Sequence, residues 1–170
     1  KENGYISEDM YFFLLASLLE SADKLANTAS VYGAFLKHLK ATAQKSLILE
    51  PAYFTTHSNK HEVYCEDANM LIKDIQGDIL YLDPPYNSRQ YCDAYHLLEN
   101  VAKWEKPEVK GVARKMDRKN LKSSYCTKFA TESFEDLIDR LNCRYILLSY
   151  NNMSNKGNER SNAKISVEDI

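Results

Sequence analysis

The sequence predicts an α/β fold in which a parallel sheet is flanked by helices, and three observations carry that prediction. Ile79 to Leu82 is a short apolar run bounded by Gly77-Asp78 before it and Pro84-Pro85 after it, the length and the stops of a buried strand. Arg144 to Ser149 repeats the pattern behind a helix-periodic stretch and continues the sheet. Glu62 to Cys65 precedes a helical stretch from about Ala68 to Ile75, so strand, helix and the Ile79 strand would form one βαβ unit. Such a unit requires parallel pairing and puts its functional groups at the carboxyl ends of the strands.

The chain has 170 residues, one domain's worth and enough for a sizeable core. A hydrophobic content of 44% with 27% charged residues describes an ordinary soluble globular protein. The longest apolar runs fall far short of the roughly 20 residues a membrane span needs, and the charged opening Lys1-Glu2-Asn3 is no signal peptide. Cys65, Cys92, Cys126 and Cys143 lie far apart without a Cys-x-x-Cys pair. They are predicted to be reduced packing residues of a cytoplasmic protein and not zinc ligands. The chain opens on Lys1 and ends in Ser166-Val-Glu-Asp-Ile170, the first turn of a helix cut short, so it is expected to be a fragment. None of its five glycines stands close to another, and the glycine-rich turn that admits a nucleoside cofactor is missing from it.

Taken in order, residues 1–45 form a helical segment. Ser7 caps a first helix whose opening turn holds Glu8 and Asp9, and Tyr11, Leu14, Leu15, Leu18, Leu19, Ala22, Leu25 and Ala26 recur on one broad face as core. A second helix is predicted from Val31 to Leu39, with Tyr32, Phe35, Leu36 and Leu39 inward. The polar Asn27-Thr-Ala-Ser30 between them breaks or kinks the helix. Residues 46–104 hold a strand-like Ser46-Leu-Ile-Leu49, an exposed Thr55–Lys60 loop and the βαβ unit. Tyr91 to Lys103 is a helix with Ala94, Leu97, Leu98, Val101 and Ala102 on its buried side; His96 rides on it with no nucleophile or metal partner, and Trp104 closes it. Residues 131–170 supply a further amphipathic helix through Phe134, Leu137, Ile138 and Leu141, then the Arg144 strand ending in Ser149-Tyr150-Asn151-Asn152, then a polar tail.

The chemistry concentrates where the Ile79 strand stops, at Asp83-Pro84-Pro85-Tyr86. Two prolines give no N–H to a sheet and hold the chain extended, which leaves the Asp83 carboxylate and nearby carbonyls free to accept hydrogen bonds. Tyr86 adds a flat apolar face beside those acceptors. Acceptors for an amine next to a platform for a ring suit a planar amino-heterocycle drawn out of a base stack.

Asp83-Pro-Pro-Tyr-Asn-Ser-Arg-Gln-Tyr91, running on into Tyr95-His-Leu-Leu-Glu-Asn-Val-Ala102, closely resembles the motif and following helix of Dam-like N6-adenine DNA methyltransferases, particularly those of type II restriction-modification systems. The resemblance extends back through Phe13–Glu20, Ala26–Ala34 and Cys65–Ala68 and forward into Tyr145–Asn152, most of the chain. It implies a Rossmann-like methyltransferase sheet, incomplete in this chain because the family's glycine-rich S-adenosylmethionine loop lies upstream of the segment matching Lys1. It implies a catalytic group of Asp83, Pro84, Pro85 and Tyr86, with S-adenosyl-L-methionine as cofactor. Asp67 and Asp83 become the cofactor-binding acids, although Asp67 read alone is a helix cap. Direct transfer to an adenine amine needs neither a covalent enzyme intermediate nor a metal. Asn87, Arg89, Gln90 and Tyr91 follow so closely that they are expected to hold a neighbouring phosphate or the vacated position in the duplex.

Residues 105–130 are a basic loop. From Lys110 to Lys128 there are seven positive side chains against Asp117, within a chain of net charge −2. Concentrated charge interleaved with Ser123, Ser124, Tyr125 and Thr127 points to a phosphate-tracking segment, with Lys115, Arg118 and Lys122 as DNA contacts; a solvated basic loop is the plainer alternative. The implied partners are double-stranded DNA and, functionally, a cognate restriction endonuclease in a bacterial cytoplasm, without a membrane. An RNA or protein-amide methyltransferase, or an inactive DNA-binding fragment, are the rival readings.

Overall fold

The computed structural model describes residues 4–29, 31–151 and 165. The chain divides into two compact units, one of Lys1–Lys60 with Tyr91–Lys119 and the other of His61–Gln90 with Asn120–Ile170.

The second unit carries the sheet. Strands β1 (Gln76–Leu82) and β2 (Asn142–Leu148) pair in parallel, with Gln76 opposite Asn142 and Leu82 opposite Leu148. Helix α4 (Ala130–Arg140) precedes β2 and buries Ala130, Phe134 and Leu137 at its helical spacing. Ala130, Phe134 and Ile165 form a core against which Leu82, Tyr125, Ile138, Leu148 and Tyr150 pack. The predicted Ile79 and Arg144 strands and the helix that precedes the second are present.

The expectation that the Ile79 strand is buried needs correction. Leu80 and Leu82 are half-buried, while Ile79 and Tyr81 on the alternate face are exposed. The alternation follows from a two-stranded sheet in which side chains of period two can be covered on one face only. The predicted βαβ unit is also absent among the described residues. Residues 62–65 form no ladder and Val63 is almost wholly exposed, so the parallel neighbour of β1 is β2 instead. Helix α2 is shorter than expected, Ala68–Leu71, with Asp67 as its cap.

The first unit is built on α1 (Glu8–Leu25) and α3 (Tyr91–Lys103). Ser7 caps α1 by accepting the Met10 N–H at 3.2 Å, with Glu8 and Asp9 in the favourable first turn. The apolar face of α1 is only half-buried, and Leu14 is exposed. Its buried positions are Ser17 and Ser21, which fasten an extended strap. Ser17 Oγ accepts the Ala52 N–H at 2.9 Å while donating to the Phe13 carbonyl, and Ser21 Oγ accepts the Glu50 N–H at 3.0 Å. Lys24 pairs with Glu50 beside them. The strand expected at Ser46–Leu49 instead leads into the strap held at Glu50 and Ala52, with Ile48 exposed and no sheet partner among the described residues.

No helix forms from Val31 to Leu39. Tertiary partners claim its backbone: the Tyr32 N–H donates to the Ala94 carbonyl at 2.9 Å, and the Tyr32 hydroxyl donates to Asp23 at 2.6 Å. The Asn27 amide donates to the His38 carbonyl at 3.1 Å and accepts the Lys40 N–H at 3.0 Å. Phe35 and Leu39, expected inside, are exposed. The predicted corner at Asn27–Ser30 does end α1, whose cap is Ala26; Ser30 lies outside the described residues, as does Asn152.

Helix α3 keeps its predicted bounds and ends in a tight reversal. The Trp104 N–H reaches the Val101 carbonyl at 3.1 Å and the Glu105 N–H the Asn100 carbonyl at 2.8 Å, with Trp104 left-handed at φ 56°. The basic segment then folds into a small hairpin bridged by Lys110 and Lys115, turned through Gly111 at φ 72°. Among the described residues no helix is long and apolar enough to cross a membrane.

Candidate functional site

The loop after β1 presents the predicted catalytic group at the carboxyl end of the strand. Pairing runs to its last residue, and the Ser149 N–H donates to the Leu82 carbonyl at 2.8 Å. This bond continues the register one residue past the ladder and sets Ser149 beside Asp83. Asp83 is exposed, and among the described residues no hydrogen bond or ion pair occupies its carboxylate. Pro84 and Pro85 are half-buried, and Tyr86 is 39% exposed. The loop then turns through Asn87, whose Oδ1 accepts the Arg89 N–H at 2.9 Å.

Gln90 departs from its predicted use. It is buried, its amide donates to the Ser123 carbonyl at 3.0 Å, and its Oε1 accepts the Ser123 N–H at 2.7 Å. Both ends of the side chain are engaged by backbone, so in this structure Gln90 clamps a turn and does not face outward. Cys126, also buried, donates its thiol to the Arg89 carbonyl at 3.4 Å. Arg89 itself is exposed.

Asp67 caps α2 with one oxygen. Its Oδ1 accepts the Asn69 N–H at 3.0 Å and the Met70 N–H at 3.2 Å, and among the described residues nothing hydrogen-bonds to Oδ2. Behind the cap, Asn69 donates to the Ser133 carbonyl and to Asp136, both at 2.8 Å, and accepts from the Tyr125 hydroxyl at 2.7 Å. Burial first, then the charges of Asp67 and Asp136, push the Tyr125 phenol up to about 12 against the opposing Asn69 bond.

Tyr91 opens α3 in the other unit, 56% exposed, its ring 6.1 Å from that of Tyr95. On the same helix Asp93 gathers part of the basic segment. Arg118 reaches its Oδ1 through Nε at 2.7 Å and Nη2 at 2.6 Å, and Lys115 approaches to 3.9 Å. The side chains of Arg118 and Lys115 are only 17% and 20% exposed. Two of the three predicted phosphate contacts are thus largely spent on one carboxylate, whereas Lys122 is exposed and has no ion-pair partner among the described residues. His96 and Asn100, one turn apart on α3, are buried, with His96 Nδ1 and Asn100 Oδ1 lacking hydrogen-bond partners among the described residues. Burial holds the His96 imidazole below its usual range, followed by the Arg118 and Lys115 charges; Asp93 opposes.

A solvent-open concavity lies at the opposite end of the strand pair, lined by Gln76, Gly77, Asp78, Asn142, Cys143 and Arg144. It contains none of the predicted residues. Among the described residues no group of three His, Cys, Asp or Glu is placed to hold a metal ion.

A parallel strand pair with an exposed carboxylate and a partly exposed aromatic ring on the turn after its first strand belongs to the α/β class, whose members carry ligands at the carboxyl ends of their strands. Residues 1–160 match the family described as D12 class N6 adenine-specific DNA methyltransferase, and the chain belongs to that family. Curated relatives agree. Type II methyltransferase M.NlaIII of Neisseria lactamica is 56% identical over 153 residues, 89% of this chain and 45% of the relative. Modification methylase StsI of Streptococcus sanguinis is 45% identical over 153 residues, 89% of this chain and 23% of the relative. Type II methyltransferase M.FokI of Planomicrobium okeanokoites is 40% identical over 151 residues, 88% of this chain and 23% of the relative. The chain therefore spans less than half the length of these relatives. No solved structure matches it.

Proposed function

We propose that the whole protein transfers a methyl group from S-adenosyl-L-methionine to the N6 amine of an adenine flipped out of double-stranded DNA, as the modification arm of a type II restriction-modification system in the bacterial cytoplasm. The observation that carries this reading is the exposed Asp83 carboxylate, without a hydrogen-bond or ion-pair partner among the described residues, together with the partly exposed Tyr86 ring at the end of β1. An adenine amine is a weak nucleophile because its lone pair is shared with the ring. Asp83 and the Pro84 carbonyl accept hydrogen bonds from its two N–H groups, which returns electron density to nitrogen and aligns the lone pair. As the N–CH3 bond forms the methyl's bond to sulfur breaks, and the one surplus N6 proton passes by way of the Asp83 carboxylate to solvent. Tyr86 stacks on the extruded base and offsets a few kcal/mol of unstacking.

The cofactor supplies an activated methyl on a sulfonium with a neutral leaving group. The chain's residues suit it: Asp67 holds one oxygen still with two amides and leaves Oδ2 to accept a ribose hydroxyl. Asn87, Arg89 and Tyr91 follow the motif as backbone contacts to the DNA, and the exposed Lys122 meets a phosphate.

The test is methyl transfer by the whole protein to duplex DNA, structured RNA and peptide in parallel. Transfer to N6 of adenine in duplex alone is expected. Asp83→Ala abolishes turnover while DNA affinity falls only modestly. Wild-type turnover by Asp83→Ala would sink the proposed role.

A further inference from the structure

The turn Ser124–Cys126, with Ser123 as its cap, is anchored residue by residue. Ser123 exchanges two hydrogen bonds with Gln90. Ser124 Oγ accepts from Ser133 Oγ on α4 at 2.8 Å. The Tyr125 hydroxyl donates to Asn69 on α2, with the Ser133 carbonyl at 3.0 Å. Cys126 donates to the Arg89 carbonyl and is 4% exposed. One short turn therefore grips the loop that carries Asp83 to Tyr86 and the helix that Asp67 caps. The turn has four anchoring residues bonded to three elements.

We infer that Tyr125 and Gln90 are positioning residues that set the cofactor acid Asp67 and the target-base loop in register through the Ser123–Cys126 turn. The inference rests on the methyltransferase reading and adds the coupling between its two half-sites. A side chain that only stabilised its own neighbourhood would affect its own half-site. A residue acting through the shared turn affects the other, and two such residues are not additive.

The experiment is a double-mutant cycle in the whole protein with Gln90→Ala, Tyr125→Phe and both. S-adenosylmethionine affinity is measured by calorimetry, and single-turnover transfer to unmodified duplex DNA is measured at saturating cofactor per mole of cofactor-competent protein. Gln90→Ala should weaken cofactor binding about fivefold although Gln90 lies on the base-loop side, and Tyr125→Phe should slow transfer about fivefold although Tyr125 lies on the cofactor side, the scale of one net hydrogen bond. The double variant should be no worse than about fivefold on either readout, where independent effects would multiply. Cofactor affinity within twofold of wild type in Gln90→Ala, with multiplying effects in the double variant, overturns the inference and leaves the methyltransferase reading standing. Absence of cofactor binding by the wild type overturns both. Should Gln90→Ala fail to fold by near-ultraviolet circular dichroism, Gln90→Glu, which keeps the acceptor for the Ser123 N–H and loses the donor, is judged by the same criteria.

Discussion

The two lysines that the sequence puts in one phosphate-binding segment are expected to behave differently. Lys122 is exposed, with no ion-pair partner among the described residues, so its full charge is available to a phosphate. Lys115 is 20% exposed and 3.9 Å from an Asp93 carboxylate already bound by Arg118, so its charge is part-compensated and its reach outward is short. Each phosphate contact on duplex DNA adds about 0.9 to the slope of log affinity against log salt. Lys122→Ala should therefore flatten that slope by about 0.9. Over a roughly threefold rise in salt, the wild type then loses about 2.7-fold more affinity than the variant. Lys115→Ala should change the slope by less than about a third of that unit while loosening the hairpin on α3. Fluorescence anisotropy of a labelled duplex of mixed sequence, titrated at several salt concentrations, gives both slopes. Equal flattening by the two variants would refute the distinction between a paired and an unpaired lysine, and an unchanged slope in Lys122→Ala would remove the basic turn from the DNA contact.

Phe134, 5% exposed at the centre of the second unit's core, should cost about 3–5 kcal/mol on truncation to alanine, read as a lowered denaturant midpoint; a midpoint shift equal to that of an exposed apolar residue would show that the core lies elsewhere. Asn27→Ala removes both bonds that hold residues 38 and 40 against the end of α1 and should destabilise the first unit by about 1–2 kcal/mol, with proteolysis appearing between residues 31 and 40. His96, whose folded state disfavours the charged form, should make the first unit less stable in acid. Its contribution is fully present above the unfolded histidine value near 6.5 and is lost as pH falls through the lower folded value. His96→Gln should flatten that arm of the pH–stability curve, and an unchanged curve would mean that another group titrates there.

Whatever was decided locally could be read from the sequence. Ser7 with Glu8 and Asp9 marks a helix start by chemistry within three residues, and α1 begins there. The Pro84-Pro85 stop ends β1 because a ladder cannot pass two missing N–H groups. Helical spacing from Phe134 to Leu141 found α4 because its buried residues Ala130, Phe134 and Leu137 recur on one face at that spacing. The misread segments share a different cause. Val31–Leu39 has helical spacing and Ser46–Leu49 has strand-like composition. Both lie where side chains distant in sequence take hold of the backbone, Asn27 eleven and thirteen positions from its acceptor and donor, and Ser17 thirty-five from Ala52. Local propensity was overruled by bonds that no local window contains.

The same division runs through the site. The type of chemistry was legible: a carboxylate, a carbonyl and a ring at a strand's end. Which groups are free to perform it was not, because availability depends on partners elsewhere in the chain. Gln90 looked outward until Ser123, thirty-three residues on, took both ends of its amide. Lys115 and Arg118 looked like phosphate ligands until Asp93 took their charge. Asp67 shows why the structural and functional readings of one residue need not compete. Capping α2 uses Oδ1 alone, and two amides at 3.0 and 3.2 Å fix the plane of the carboxylate. A carboxylate fixed in that way loses little further freedom when Oδ2 accepts a ligand hydroxyl, so the cap lowers the entropic cost of binding that an unanchored aspartate would carry. The helix cap is then the means by which the proposed cofactor acid is presented.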